Sequence, residues 1–243
     1  VDILLWVVRI PRLVAAFFVG GGLAISGANY QATFRNPLVS ESILGVSAGA
    51  SLGACIAIVF SLGDVMTAVL AFLGGILAVA MTYYISRLFR GNPTLLLVLT
   101  GTVVASLFSS GVSILKYIAP KEETLADITF WLMGSFATVG KSNLVYLVPV
   151  ISVCAIVLFR IRWKVNVLAL GDDSARALGV DTGRLRKIII VASTLIAAIS
   201  VCNCGMIGWI GVVVPQITRM IIAAMIIHIN RISFSLSACF LLM

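Results

Sequence analysis

Apolar runs of about 18–24 residues, nearly free of charge, recur along this 243-residue chain, and that is the length a helix needs to cross roughly 30 Å of hydrocarbon. Backbone N–H and C=O groups cannot stay unpaired in lipid, so each run must be a helix or part of a closed barrel. Barrel strands alternate apolar and polar residues with period two, and these runs do not. Composition agrees: 61% of residues are hydrophobic and 11% charged, against about 45–50% and about 25% in soluble domains. The fold class is all-α, a polytopic transmembrane helical bundle.

The runs predict helices over about 12–33, 43–62, 65–86, 95–118, 143–160 and 188–209. A shorter segment near 212–227 and a further helix from Ile232 bring the total to about seven or eight spans in one domain, 1–243. Gly20, Gly21, Gly22, Gly27, Gly74 and Gly75 suit close helix approach. The chain opens on Val1 and closes inside the apolar "SLSACFLLM". It is expected to be a piece of a longer protein, with a helix missing at each end.

Charge sets the orientation. With the first helix running inward, the inner side holds 12 basic and 4 acidic residues, and the outer side 5 of each. Basic residues concentrate on the cytoplasmic side of membrane proteins. The net charge of +8 is thus mostly an orientation signal, and no nucleic-acid partner is expected. Arg9 and Arg12 stay outside against the trend, with Pro11 between them suited to a first helical turn. They either snorkel to lipid headgroups or meet an acidic partner. "RLVAAFFVGGGLAIS" (12–26) echoes "RKIIIVASTLIAAIS" (186–200) in register; in helices of opposite direction this has the character of an inverted repeat.

Chemistry is sparse. The predicted spans carry almost no ionisable residue, whereas ion-coupled carriers usually keep one near the midplane. There is no H-E-x-x-H, no aspartate pair and no G-x-x-x-x-G-K-[ST], so neither an enzyme nor a nucleotide site is read here. His228 sits near an inner loop. The cysteines (Cys55, Cys154, Cys202, Cys204, Cys239) lie in apolar segments, where Cys behaves as a small hydrophobe. "CNC" at 202–204 lacks the companions of a metal site. No cofactor and no metal are expected. The polar stretch 160–187 reads as two short helical pieces. Asp172, Asp173 and Ser174 suit a helix start, and Gly179 a stop. Leu168, Leu170, Ala175, Leu178 and Val180 leave an apolar face, for the membrane surface or for a docked ATPase.

Three stretches carry a resemblance. "RIPRLVAAFFVGGGLAISGANYQATFRNPLVSESILGVSAGASLG" (9–53), with Gln31, Asn36, Pro37 and Gly45, resembles the permease subunits of ABC importers for cobalamin, ferric siderophores and haem, the FecCD-like group. "NVLALGDDSARALGVD" (166–181) and "GMIGWIGVVVPQITRM" (205–220) look like two further signatures of that family, in the expected order. The resemblance implies a ten-helix permease, multi-pass in the prokaryotic inner membrane. It works as a pair of copies with two cytoplasmic ATPase subunits and an external binding protein that delivers cargo. It implies that Arg9 and Arg12 dock the binding protein. Coupling helices at about 162–186 would meet the ATPase, with Leu168, Gly171, Ala175, Arg176, Leu178 and Gly179 at motif positions. Asn92 and Thr94 become candidates for a cytoplasmic gate, and the fourth predicted helix would line the path. The implied cargo is an iron–siderophore, haem or cobalamin-type chelate. An oxyanion such as molybdate, an ion-coupled carrier and a non-transporting scaffold are the rivals. Gln216 departs from the family's usual His, and "IIAAMIIHINRISFSLS" has Ile227 where the family has an acid.

Overall fold

The computed structural model describes residues 4–222. A wide-turn helical segment, Leu4–Arg9, runs into α1 (Ile10–Phe34). Pro11 fits there because the first turns of a helix leave N–H groups unpaired anyway. A short turn of helix, Glu41–Leu44, leads to α2 (Val46–Val59). Then follow α3 (Asp64–Leu88), α4 (Pro93–Tyr117), α5 (Glu122–Met133), α6 (Lys141–Arg160), α7 (Arg162–Ala169), α8 (Asp172–Ala177) and α9 (Thr182–Cys204). The last described helix is α10 (Ile210–Ile222). Five segments are long and apolar enough to cross a membrane: 5–34, α3, α4, α6 and α9.

Several boundaries differ from the sequence reading: the first apolar segment begins at Leu5 and α9 ends at Cys204, and three further differences have identifiable causes. The second span breaks at Gly45, whose φ of +88° favours glycine; this leaves α2 with 14 residues, about 21 Å of helix. Helix α9 starts six residues before 188, because the Asp181 carboxylate accepts from the Arg184 N–H at 3.0 Å and caps it. Helix α5 falls in a stretch read as an outer loop. Glu122 and Glu123 occupy its first turn, and Ile128 is buried against Cys55 and Val112. His228, Arg231, Ile232 and Cys239 lie outside the described residues.

Helix α9 is the axis of the bundle. It packs on α1, α2, α3 and α6, and 78% of its most apolar window is buried, against 22–33% for the other four long segments. The others keep a broad apolar face outward, as helices in lipid or against partners do. Small residues set the closest contacts. Gly49 of α2 lies on the Gly74 carbonyl of α3, and Gly53 on the Leu70 carbonyl. Of the glycines singled out above, Gly22, Gly27, Gly74 and Gly75 face neighbours, while Gly20 and Gly21 face nothing within 4 Å among the described residues.

Candidate functional site

One end of the bundle, the inner one by the charge bias, gathers the residues of the 160–187 stretch. Helices α7 and α8 are joined at Gly171, whose φ is +125°. Leu168 and Ala175 are buried and fasten the pair to the bundle. Leu170, Arg176 and Leu178 point away from it; Leu170 and Leu178 are 71% and 65% exposed. Gly179 follows with φ +77°. The apolar face expected here is therefore split: half anchors the element and half is presented outward. The α7–α8 piece is thus a short knob, anchored through Leu168 and Ala175 and exposed at Leu170, Arg176 and Leu178.

Behind the knob, one carboxylate joins four elements. Arg186 Nη2, in α9, donates to both carboxylate oxygens of Asp172 at 3.2 Å and to Thr94 Oγ1 at 3.2 Å. Arg35 Nη2, just past α1, stands 3.9 Å from Asp172 Oδ1. Asn92 caps α4: its Oδ1 accepts from the N–H groups of Thr94 (3.0 Å) and Leu95 (3.4 Å). The two gate candidates thus sit at the head of α4, close to the start of α8. Sequence reasoning met Arg186 as an inner charge and as the leading residue of the 186–200 echo, not as a member of the site. Its burial followed from the earlier start of α9.

The motif residues in the first connection are architectural. Buried Gln31 donates from Nε2 to the carbonyls of Gly211 (3.3 Å) and Val212 (3.5 Å). Asn36 Oδ1 accepts the Leu38 N–H at 3.0 Å, and the Pro37 carbonyl accepts from Gln216 Nε2 at 3.0 Å. Gln216 therefore supplies a donor that bolts α10 to this connection. Glu41, which the charge count placed in an inner loop, is 5% exposed. It lies against the Cα of Gly211, and among the described residues no basic side chain pairs with it. Burial pushes its carboxyl up from 4.5 to about 7.

That shift has a definite sign. The folded chain holds the Glu41 proton more tightly than the unfolded chain, so stability is complete below 4.5, falls as pH rises through about 7, and is flat above. The fall amounts to about 3 kcal/mol. Glu41→Gln should remove it, so that the melting temperature of the variant in detergent exceeds wild type at pH 8 and matches it at pH 4.5. A parallel pair of pH profiles would contradict this.

At the outer end, Arg9 is exposed and Arg12 is half-buried. Arg12 Nη2 donates to the Ala137 carbonyl at 2.5 Å. The two cations are therefore not equivalent: Arg9 is exposed, and Arg12 also braces the loop after α5. Two adjoining clefts of about 850 and 760 Å³ open nearby, between α3, α5, α6 and α9. Asn203 Oδ1 on their wall accepts from Asn143 Nδ2 (2.9 Å) and Tyr146 OH (2.6 Å).

Neither cleft takes a residue from α4, the helix expected to line a path. That helix instead exposes Thr102, Ser106, Ser110 and Ser113 on one face. Each hydroxyl donates to a carbonyl three or four residues back, at 2.8–3.1 Å. The spacing was legible as T-x₃-S-x₃-S within an apolar run, and the sequence reading passed over it. Beside it run the exposed Leu99, Val103 and Leu107. A polar stripe on a membrane helix needs water or a partner to face.

Known proteins resemble this chain along most of its length. The chain is 40% identical over 219 residues to a molybdate import system permease protein, MolB, of Haemophilus influenzae, covering 89% of this chain and 64% of that one. It is 35% identical to the hemin transport system permease protein HmuU of Yersinia pestis, covering 89% and 66%. A solved structure described as an inward-facing, metal-chelate-type ABC transporter superposes with a TM-score of 0.86 at 37% identity, covering 91% of this chain and 70% of that one. The chain thus spans about two thirds of the length of these relatives. The FecCD transport family matches residues 1–243. With that family matched along its whole length, and with five apolar segments long enough to span a membrane among its described residues, the chain belongs to the FecCD transport family.

Proposed function

We propose that the protein is the transmembrane permease of a binding-protein-dependent ABC importer, a single permease domain that moves a metal chelate into the cytoplasm. The observation that carries this is the α7–α8 knob. It presents Leu170, Arg176 and Leu178 to the inner side from a bundle whose described spans carry no Asp, Glu or His near their middle. Work must then enter from a partner, and two ATP-hydrolysing subunits at the knobs of two permease copies supply it. The exposed hydroxyl face of α4 lines the path, with Asn92 and Thr94 at its inner mouth. The permease performs no chemistry of its own.

Cargo in this reading is an iron–siderophore, haem or cobalamin-type chelate. A second reading, an oxyanion, is favoured by the similarity to the molybdate permease. Uptake into vesicles carrying the complete importer, tested with ferric siderophore, haem, cobalamin and molybdate, separates the two. Uptake that persists without the ATPase but collapses with the ion gradient would overturn the proposal in favour of a secondary carrier. No ATP-dependent uptake of any cargo would favour a scaffold.

Arg9 and Arg12 are assigned to docking of the external binding protein. Exposed ion pairs contribute about 0–1 kcal/mol each and act mainly on orientation and on-rate. Arg9→Glu should slow association of the binding protein about tenfold at low salt, with ATPase assembly unchanged. Arg12→Glu should also loosen the 134–140 loop, since it removes the donor to Ala137. Unaltered association in the double variant would remove both residues from this role.

A further inference from the structure

Helix α6 ends in a corner that carries three cations and no acid. Arg160 closes α6, Arg162 opens α7, and Lys164 follows in the first turn of α7. All three are exposed, and among the described residues none forms an ion pair. The sequence holds no Asp or Glu from Lys141 to Gly171. Asp172, the next acid, is taken by Arg186 and Arg35, and Asp181 by Arg184. The corner is held in place from behind: Val165, Val167 and Leu168 of α7 are buried, and α7 packs on α1.

The apolar surroundings say what kind of partner suits these charges. Trp163 stands between Arg162 and Lys164 and is 73% exposed. Along α6 a stripe of Val153, Ile156 and Phe159, each more than half exposed, leads to the same corner. The Arg162 guanidinium lies 4.2 Å from the centre of the Phe159 ring, within cation–π range, so charge is held where the apolar stripe stops. A soluble acidic protein would match the cations but leave the stripe in water. The boundary of a bilayer matches every part: acyl chains meet the stripe, the interfacial region takes the indole, and phosphates meet the cations. The inner end of α3 repeats the device. Arg87 lies 4.8 Å over the Tyr83 ring, beside the exposed Tyr84 and Phe89, and the sequence has no acid between Asp64 and Glu122. Two stacked Arg–aromatic pairs at the inner ends of two spans mark the level of one interface.

We propose that the α6–α7 corner is a binding site for an anionic phospholipid of the inner leaflet, with its phosphate held by Arg160, Arg162 and Lys164 and an acyl chain laid along Val153, Ile156 and Phe159. Three uncompensated cations between positions 160 and 164 select a headgroup of net negative charge over a zwitterionic one, whose amine they repel. The site is distinct from the knob face, which begins beyond it at Leu170. It rests on the membrane orientation and not on the reading of the ATPase contact or the cargo. A lipid bound here pins the inner end of α6 at the headgroup level, and interfacial anchors of this kind set the tilt and depth of a span.

The test uses the full-length permease in phosphatidylcholine bilayers, with brominated phosphatidylglycerol or brominated phosphatidylcholine added at equal fraction. Bromine on the acyl chain quenches an indole it touches, and the signal lost in Trp163→Phe separates Trp163 from the other three tryptophans. Phosphatidylglycerol should be enriched at Trp163 about tenfold over phosphatidylcholine. Arg160→Gln, Arg162→Gln and Lys164→Gln combined should bring that ratio to within about twofold of unity. Arg184→Gln with Lys187→Gln, which neutralises two exposed cations at the start of α9, should leave it unchanged. Equal quenching by the two lipids in the wild type overturns the site. So does an equal loss of preference in the Arg184 and Lys187 variant, which would make the preference a property of the whole inner surface. A Trp163 that neither lipid quenches, but that the ATP-hydrolysing partner shields from a water-soluble quencher, makes the corner a protein contact and overturns the lipid site.

Discussion

Arg176→Glu should leave ATP hydrolysis by the assembled importer within about twofold of wild type and lower cargo moved per ATP by at least about tenfold. Arg176 lies in the last turn of α8 with its side chain exposed, beside Leu178 at 65% exposure. Among the described residues its side chain makes no hydrogen bond or ion pair, so reversal of its charge acts on whatever meets the knob. The buried members of the same motif behave differently. Leu168 and Ala175 are 1% and 0% exposed, and enlarging Ala175 should dislodge α8 from the bundle and lower stability as well as coupling. Lys121→Glu, on the outer side, serves as the control with no effect on the ratio. A wild-type ratio of transport to hydrolysis in Arg176→Glu would detach this face of α8 from coupling.

Gly49→Val should destabilise the bundle by about 3 kcal/mol or more, the upper range of overpacking, because the obstacle is backbone. A Cβ there falls on the Gly74 carbonyl and lies 2.6 Å from the Ala78 Cβ. Neither neighbour can rotate away, so α2 and α3 must separate along their contact, and that contact is the most extensive helix pair in the structure. A lowered melting temperature in detergent and loss of monodisperse protein are the readouts. Gly20→Ala and Gly21→Ala are the matched controls. Nothing described lies within 4 Å of either, and alanine in a helix interior adds roughly 0.5–1 kcal/mol over glycine. Destabilisation at those two positions would place another helix or a second copy on that face of α1.

The helical bundle was legible because lipid leaves so few solutions for an apolar run of that length. The family signatures were legible because they are long and ordered. Element ends were less so. Asp181 as a cap and Gly45 as a break are single-residue effects that hydropathy averages away, and α5 is short and amphipathic enough to pass for a loop. At the candidate site, sequence located the 160–187 stretch but could not divide its apolar residues into anchors and contacts. That division depends on which side of α8 faces α9. Glu41 and Arg186 were misjudged for the same reason. Each was placed by its position along the chain, in a loop, and the tertiary packing of α10 and α9 then covered it.

The hydroxyls along α4 have one more consequence. Their protons are already engaged within the helix, so a passing solute meets oxygen lone pairs and methylenes but few free donors. A wall of this kind offers little grip: it wets without trapping. If cargo travels along it, replacing these serines and threonines by alanine should alter how fast solutes pass far more than which solutes are accepted.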